Sequence, residues 1–144
     1  MQTKELDSHD RELVEVAIDV IRRNYQDPRH TVGAAVLSAS GKIFSAVNLD
    51  SCGYGPCAEP IALGAAISSG ETSFHTIVAV SGTDDHFPVL PPCGNCRQLL
   101  LDYAQGIMVV LSIEDRLLKV VLEDLLPVAY KKRTPPKERG ASNG

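Results

Sequence analysis

The chain has 144 residues, 44% apolar and 22% charged, with 14 basic against 18 acidic side chains and a net charge of -4. That length fits one domain, the composition is that of a folded chain, and such a chain buries roughly two thirds of the surface it exposes unfolded. The acidic balance excludes a nucleic-acid binder that works through a broad basic face, no apolar run approaches the roughly 20 residues of a membrane helix, and no apolar signal region follows Met1, so the expected location is the cytoplasm.

Residues 8–25 read as a helix, because Leu13, Ala17 and Ile21 recur at helical spacing with Val14, Ile18 and Val20 widening the stripe. Asp7 or Ser8 is placed to cap it. A continuous apolar run predicts a strand over 31–37; Ser38-Ala39-Ser40-Gly41 turns the chain, and 42–47 returns as the second arm of an antiparallel hairpin. A polar, glycine-containing loop over 48–56 leads into a helix over 58–69, with Pro60 in its first turn and Gly70 at its end. Residues 76–81 form an apolar strand. The loop over 82–92, which holds Asp84-Asp85-His86, precedes a helix over 94–104 that Gly106 stops. Two strands follow, over 107–111 and 117–122, and then a short helical turn over 123–126 closed by Pro127. The order αββαβαββα predicts an α/β fold, a three-layer α/β/α sandwich around a five-stranded mixed sheet. A single catalytic domain is expected over 1–130, with a flexible basic tail rich in Pro and Gly over 131–144.

Four cysteines, Cys52, Cys57, Cys93 and Cys96, stand in a chain with no secretory signal. A reducing compartment follows, and there a metal or catalytic role outweighs a disulfide framework. Pro56-Cys57-Ala58-Glu59 and Pro92-Cys93-Gly94-Asn95-Cys96 occupy equivalent places, each in a loop that opens a helix. Unpaired N–H groups and the helix field lower a thiol's pKa there. The Cys-x-x-Cys pair can share one Zn²⁺, with Cys57 as third ligand and one position left open, where water gives up its proton far more readily than in bulk. Glu59 is placed to take that proton and pass it to a ring nitrogen and then to a leaving amine. Cys-x-Glu followed by Pro-Cys-x-x-Cys is the signature of the zinc deaminases. Two bland readings stand beside it: Cys93 and Cys96 as a redox pair, and Cys52 completing a closed structural Cys₄ site. The closed site would leave Glu59 idle and the zinc without a water. The four histidines, His9, His30, His75 and His86, have no ligand spacing to one another or to the cysteines.

From about Thr31 to Tyr130 the chain resembles the cytidine deaminases, on Val32-Gly33-Ala34-Ala35-Val36-Leu37, Gly41-Lys42-Ile43-Phe44, Pro92-Cys93-Gly94-Asn95-Cys96-Arg97-Gln98 and Leu125-Leu126-Pro127. Gly55-Pro56-Cys57-Ala58-Glu59 and the short loop after Asn48 are most similar to the blasticidin S deaminase branch. The resemblance implies a zinc-dependent hydrolase that turns a cytosine-type aminopyrimidine nucleoside (cytidine or deoxycytidine) into the uracil form and releases ammonia. A cytosine nucleoside antibiotic is the alternative substrate. It further implies a homotetramer with active sites shared between subunits, and no nucleic-acid or membrane partner. Carried onto this chain, Cys57, Cys93 and Cys96 hold the metal, Glu59 is catalytic, Asn48 and Asp50 bind the sugar, and His30 and Tyr130 cradle the base. The chain departs from the family pattern in four places: Asp50 replaces a glutamate, His30 an aromatic residue, Tyr130 a phenylalanine, and Pro60 an arginine that offsets thiolate charge. Arg97, the nearest remaining cation by sequence, is expected to matter for that reason.

Overall fold

The computed structural model describes residues 1–131. The elements are β1 (Lys4–Glu5), α1 (Ser8–Asn24), β2 (Val32–Ser38), β3 (Ile43–Val47), α2 (Ala58–Ser68), β4 (Phe74–Ser81), β5 (Val89–Leu90), α3 (Gly94–Tyr103), β6 (Met108–Ile113) and β7 (Arg116–Val121), then a single 3₁₀ turn, Leu122–Leu125. The expected order holds with two additions. The sheet has seven strands rather than five, because the two-residue strands β1 and β5 join it. Two residues are too short a run to show the alternation that marks a strand in sequence. The tail expected over 131–144 lies outside the described residues except for Lys131.

Strand order is β1-β7-β6-β4-β2-β3, with β5 also on β4. The β4–β6 pair is parallel and the other pairs are antiparallel, so the sheet is mixed. A two-residue period divides the core. Ala34 and Val36 of β2, and Ile77 and Ala79 of β4, face α2 and α3. Ala35 and Leu37, with Val78 and Val80, face α1. Hence α1 covers one face and the two later helices cover the other, which makes the expected three layers. Gly33 lets α1 lie this close, since a Cβ there would stand 2.4 Å from the Ala17 carbonyl oxygen.

The sheet's pairing also makes the recess that matters. Thr76 and Ile77 of β4 pair with β6. Further along the same edge, Ala79 and Val80 pair with β5 instead. The substitution brings Leu90 and Pro91 beside the end of β4 and feeds the chain directly into Pro92 and Cys93, at the start of α3.

Candidate active site

Cys57 and Cys93 are the N-cap residues of α2 and α3, each with extended backbone and with no side-chain cap hydrogen bond. Cys96 lies one turn into α3 and is buried. Two helix starts from one face of the sheet thus converge. The Cys57 and Cys93 sulfurs are 3.6 Å apart, those of Cys93 and Cys96 3.4 Å apart, and all three lie within 4.8 Å of one another. Tetrahedral thiolate–zinc bonds of about 2.3 Å place sulfurs about 3.8 Å apart, so the donor set fits zinc.

The electrostatics agree. Burial pushes the Cys57 thiol up, aided by Cys93 and by the charge of Glu59. Burial pushes Cys96 up much further, again with Glu59 and the neighbouring sulfurs adding to it. Burial opposes ionisation at Cys93 too, but there the N–H groups of Cys96 and Asn95 and the adjoining thiols win and the pKa falls. Helix starts alone therefore lower one thiol and not three. Three sulfur anions packed this tightly beside a carboxylate are reconciled by a cation held among them.

Glu59, the second residue of α2, is 6% exposed, and burial raises its carboxyl above the ordinary range. It lines a cavity of about 300 Å³ together with Cys57, Cys93, Asn48, Asp50 and Leu90. The chain leaving β3 supplies part of the same lining. Asn48 follows β3, and its side-chain Oδ1 accepts from the backbone N–H groups of Thr31 (2.8 Å) and Val32 (3.0 Å). Those bonds fix which way the amide faces and leave Nδ2 as its donor.

The remaining sequence-predicted residues are placed differently. His30 stands beside Asn48: its Nδ1 donates to the Asn48 carbonyl oxygen at 2.8 Å. Tyr130 is 77% exposed, and its backbone carbonyl accepts from Gln98 Nε2 at 3.1 Å. Neither lines the cavity. Cys52 is exposed and stands outside the sulfur cluster, so among the described residues no Cys₄ site exists. Arg97 donates from Nε to the Pro92 carbonyl (2.8 Å) and from Nη1 to the Leu125 carbonyl (3.0 Å). It thereby ties the loop ahead of Cys93 to the 3₁₀ turn. Sequence reasoning missed the wall made by Leu90 and Pro91. The only signal for it is an apolar pair between prolines, Pro88-Val89-Leu90-Pro91.

The family model of the cytidine and deoxycytidylate deaminase zinc-binding region matches residues 7–112. The blasticidin-S deaminase of Bacillus cereus is 40% identical over 137 residues, which cover 90% of this chain and 98% of that one. A cytidine deaminase of Mycobacterium tuberculosis is 35% identical over 113 residues, 77% of this chain and 80% of that one. The crystal structure of cytidine deaminase from the same organism superposes with a TM-score of 0.72 at 30% identity, covering 88% of this chain and all of that one (100%).

Proposed function

The chain belongs to the cytidine and deoxycytidylate deaminase family, and from that premise we propose that it hydrolyses the exocyclic amine of a cytosine-type nucleoside, giving the uracil form and ammonia. One observation carries this reading. Three sulfurs cluster at a spacing that fits zinc, and two of them, Cys57 and Cys93, line one cavity with a buried carboxylate, an amide and a second carboxylate. Zinc, when bound to Cys57, Cys93 and Cys96, supplies the activation of water for attack on the ring carbon that bears the amine. The rest of the work falls to side chains. Glu59 accepts one proton of the attacking water at its carboxylate and gives it to the adjacent ring nitrogen; it then takes the second, from the hydroxyl added to the ring carbon, and gives it to the departing amine as the carbon–nitrogen bond breaks and the carbonyl forms. Burial raises its carboxyl above the ordinary range, which favours its holding the proton between the two transfers. Asn48 Nδ2 donates to one sugar hydroxyl and Asp50 accepts from another. Val32, Ala79 and Leu90 give the pyrimidine an apolar bed.

The same reading makes the protein a cytoplasmic homotetramer in which neighbours complete each site. In support, α2 carries no charged residue after Glu59, and its Ile67 remains 40% exposed. Such a face is what a second copy would cover. Tyr130, too exposed to serve its own cavity, is then free to reach a neighbour's, and His30 serves the base by holding Asn48 in place. Among the described residues no helix is long and apolar enough to cross a membrane. A second substrate class is favoured by the 40% identity over 98% of a blasticidin-S deaminase: a cytosine nucleoside antibiotic. Ammonia release measured against cytidine, deoxycytidine, free cytosine and blasticidin S tests the proposal. Turnover of at least one nucleoside supports it, and silence on all of them by the zinc-loaded protein refutes it.

A further inference from the structure

On the reading above, the aminopyrimidine lies against Glu59 and the sugar against Asn48 and Asp50. Past Asp50 the surface continues into a second, shallower depression of about 350 Å³, lined by Arg29, Asp50, Ser51 and Cys52. We propose that this depression is the subsite for an oxyanion carried on the sugar of the nucleoside, bound by the guanidinium of Arg29. The inference rests on the deaminase reading and names the substrate class more narrowly.

Charge is the first argument. The main cavity is lined by Asp50, Glu59, Cys57 and Cys93, and no Lys, Arg or His lines it. An anionic group inside it would meet carboxylates and sulfurs of its own sign, in a chain whose net charge is -4. The adjoining depression does hold a cation, Arg29, which among the described residues makes no ion pair of its own. Position is the second argument. The two recesses share Asp50, so a substituent one sugar away from the ring passes from one to the other.

Rigidity is the third. Gln26 and His30 exchange both backbone hydrogen bonds across the Arg29 loop, at 3.0 and 2.8 Å. That loop is then fastened to Asn48 through His30 Nδ1 and through the Thr31 and Val32 N–H groups. Arg29 is therefore indexed to the same residue that faces the sugar, and its planar fork suits a carboxylate or phosphate. Ser51 adds a donor: its Oγ already accepts from the Gly53 N–H at 3.2 Å, which leaves the hydroxyl proton for the anion. Asp50, an acceptor only, keeps to the hydroxyls.

The test compares kcat/KM of the zinc-loaded enzyme on cytidine, cytidine 5′-monophosphate and cytidine with its 5′ carbon oxidised to a carboxylate. Arg29→Ala should cost about tenfold on at least one anionic substrate, through KM, while cytidine changes less than about twofold. Arg29→Glu should cost more, and the loss should shrink in about 0.5 M salt, because the contact is exposed. Whichever derivative responds identifies the anion as phosphate or carboxylate. If Arg29→Ala leaves both derivatives unaffected, or lowers cytidine equally, the subsite is wrong and the deaminase stands. If the wild type turns over cytidine but neither derivative, the subsite is likewise wrong. A zinc-loaded wild type silent on all three overturns the subsite, and the deaminase reading then stands or falls on the wider ammonia-release comparison above.

Discussion

The three α-helices among the described residues begin in two different ways. On one face of the sheet, α1 opens with a capping box: Asp7 Oδ1 accepts from the Asp10 N–H (2.9 Å) and Asp10 Oδ2 from the Asp7 N–H (3.0 Å). Lys119 of β7 then donates to the buried Asp10 carboxylate at 2.6 Å. On the opposite face, α2 and α3 open with Cys57 and Cys93, whose side chains cap nothing. A capped start contributes about 1 kcal/mol over an uncapped one. Helices α2 and α3 forgo that contribution and present a thiol at the cap position instead, and at the start of α3 the free N–H groups lower that thiol's pKa. The helix start without a stabilising cap is, in this fold, the one that holds the reactive groups.

Cys93→Ser is the sharpest way to break that contrast, because serine is the better cap. If the start of α3 were there for stability alone, the variant would be as stable as the parent or more so. The expected outcome is the reverse: zinc content by elemental analysis falls well below one ion per chain, turnover is lost, and Tm drops by roughly 5 °C or more. Normal zinc in the variant would remove Cys93 from the ligand set.

Glu59→Gln separates the proton from the metal. The carboxylate is replaced by a neutral amide of the same shape beside intact sulfurs, so zinc stays bound while kcat falls by about 10³-fold or more. Turnover within tenfold of the parent would show that another group moves the proton.

These helix starts were the legible part of the sequence. Pro-Cys ahead of an apolar periodic run marks both, and the Cys-x-x-Cys spacing, joined to Cys57 through the zinc deaminase signature, picks out the three cysteines that the structure brings together. What stayed hidden is carried by pairing between distant segments. Strand β5 is two residues long and has no period to read, yet it shapes the cavity wall. Arg97 stands next to Cys96 in the chain and so looks like a counter-charge for sulfur. Its nitrogens go to the carbonyls of Pro92 and Leu125, the latter 28 residues downstream. Arg29 carries no motif at all. Only the hydrogen bonds between its loop and Asn48 bring it to the rim.

Asp50 lies between the two kinds of region, in a loop that caps no helix and binds no metal. Asp50→Ala should raise KM for cytidine by about tenfold and leave free cytosine, which has no sugar, unchanged. An equal loss on both would mean that Asp50 shapes the loop and does not contact the hydroxyls.

The smallest effect belongs to the capped start. Asp7→Ala removes one half of the box and should cost about 1 kcal/mol in denaturant unfolding, with zinc content and kcat/KM unaltered. Its pH dependence has a defined sign. The Asp10 N–H bond, with Lys119 adding to it, holds the folded Asp7 carboxyl below its ordinary value. Protons therefore bind the unfolded chain more readily, and the contribution is complete above the ordinary carboxylate pKa. It fades as pH falls through the folded value, so parent and variant should converge in stability in strong acid and differ fully at neutrality. A gap that persisted unchanged to low pH would assign the loss to packing and not to the carboxylate. A fall in turnover at neutral pH would join the two helix faces, which the structure keeps on opposite sides of one sheet.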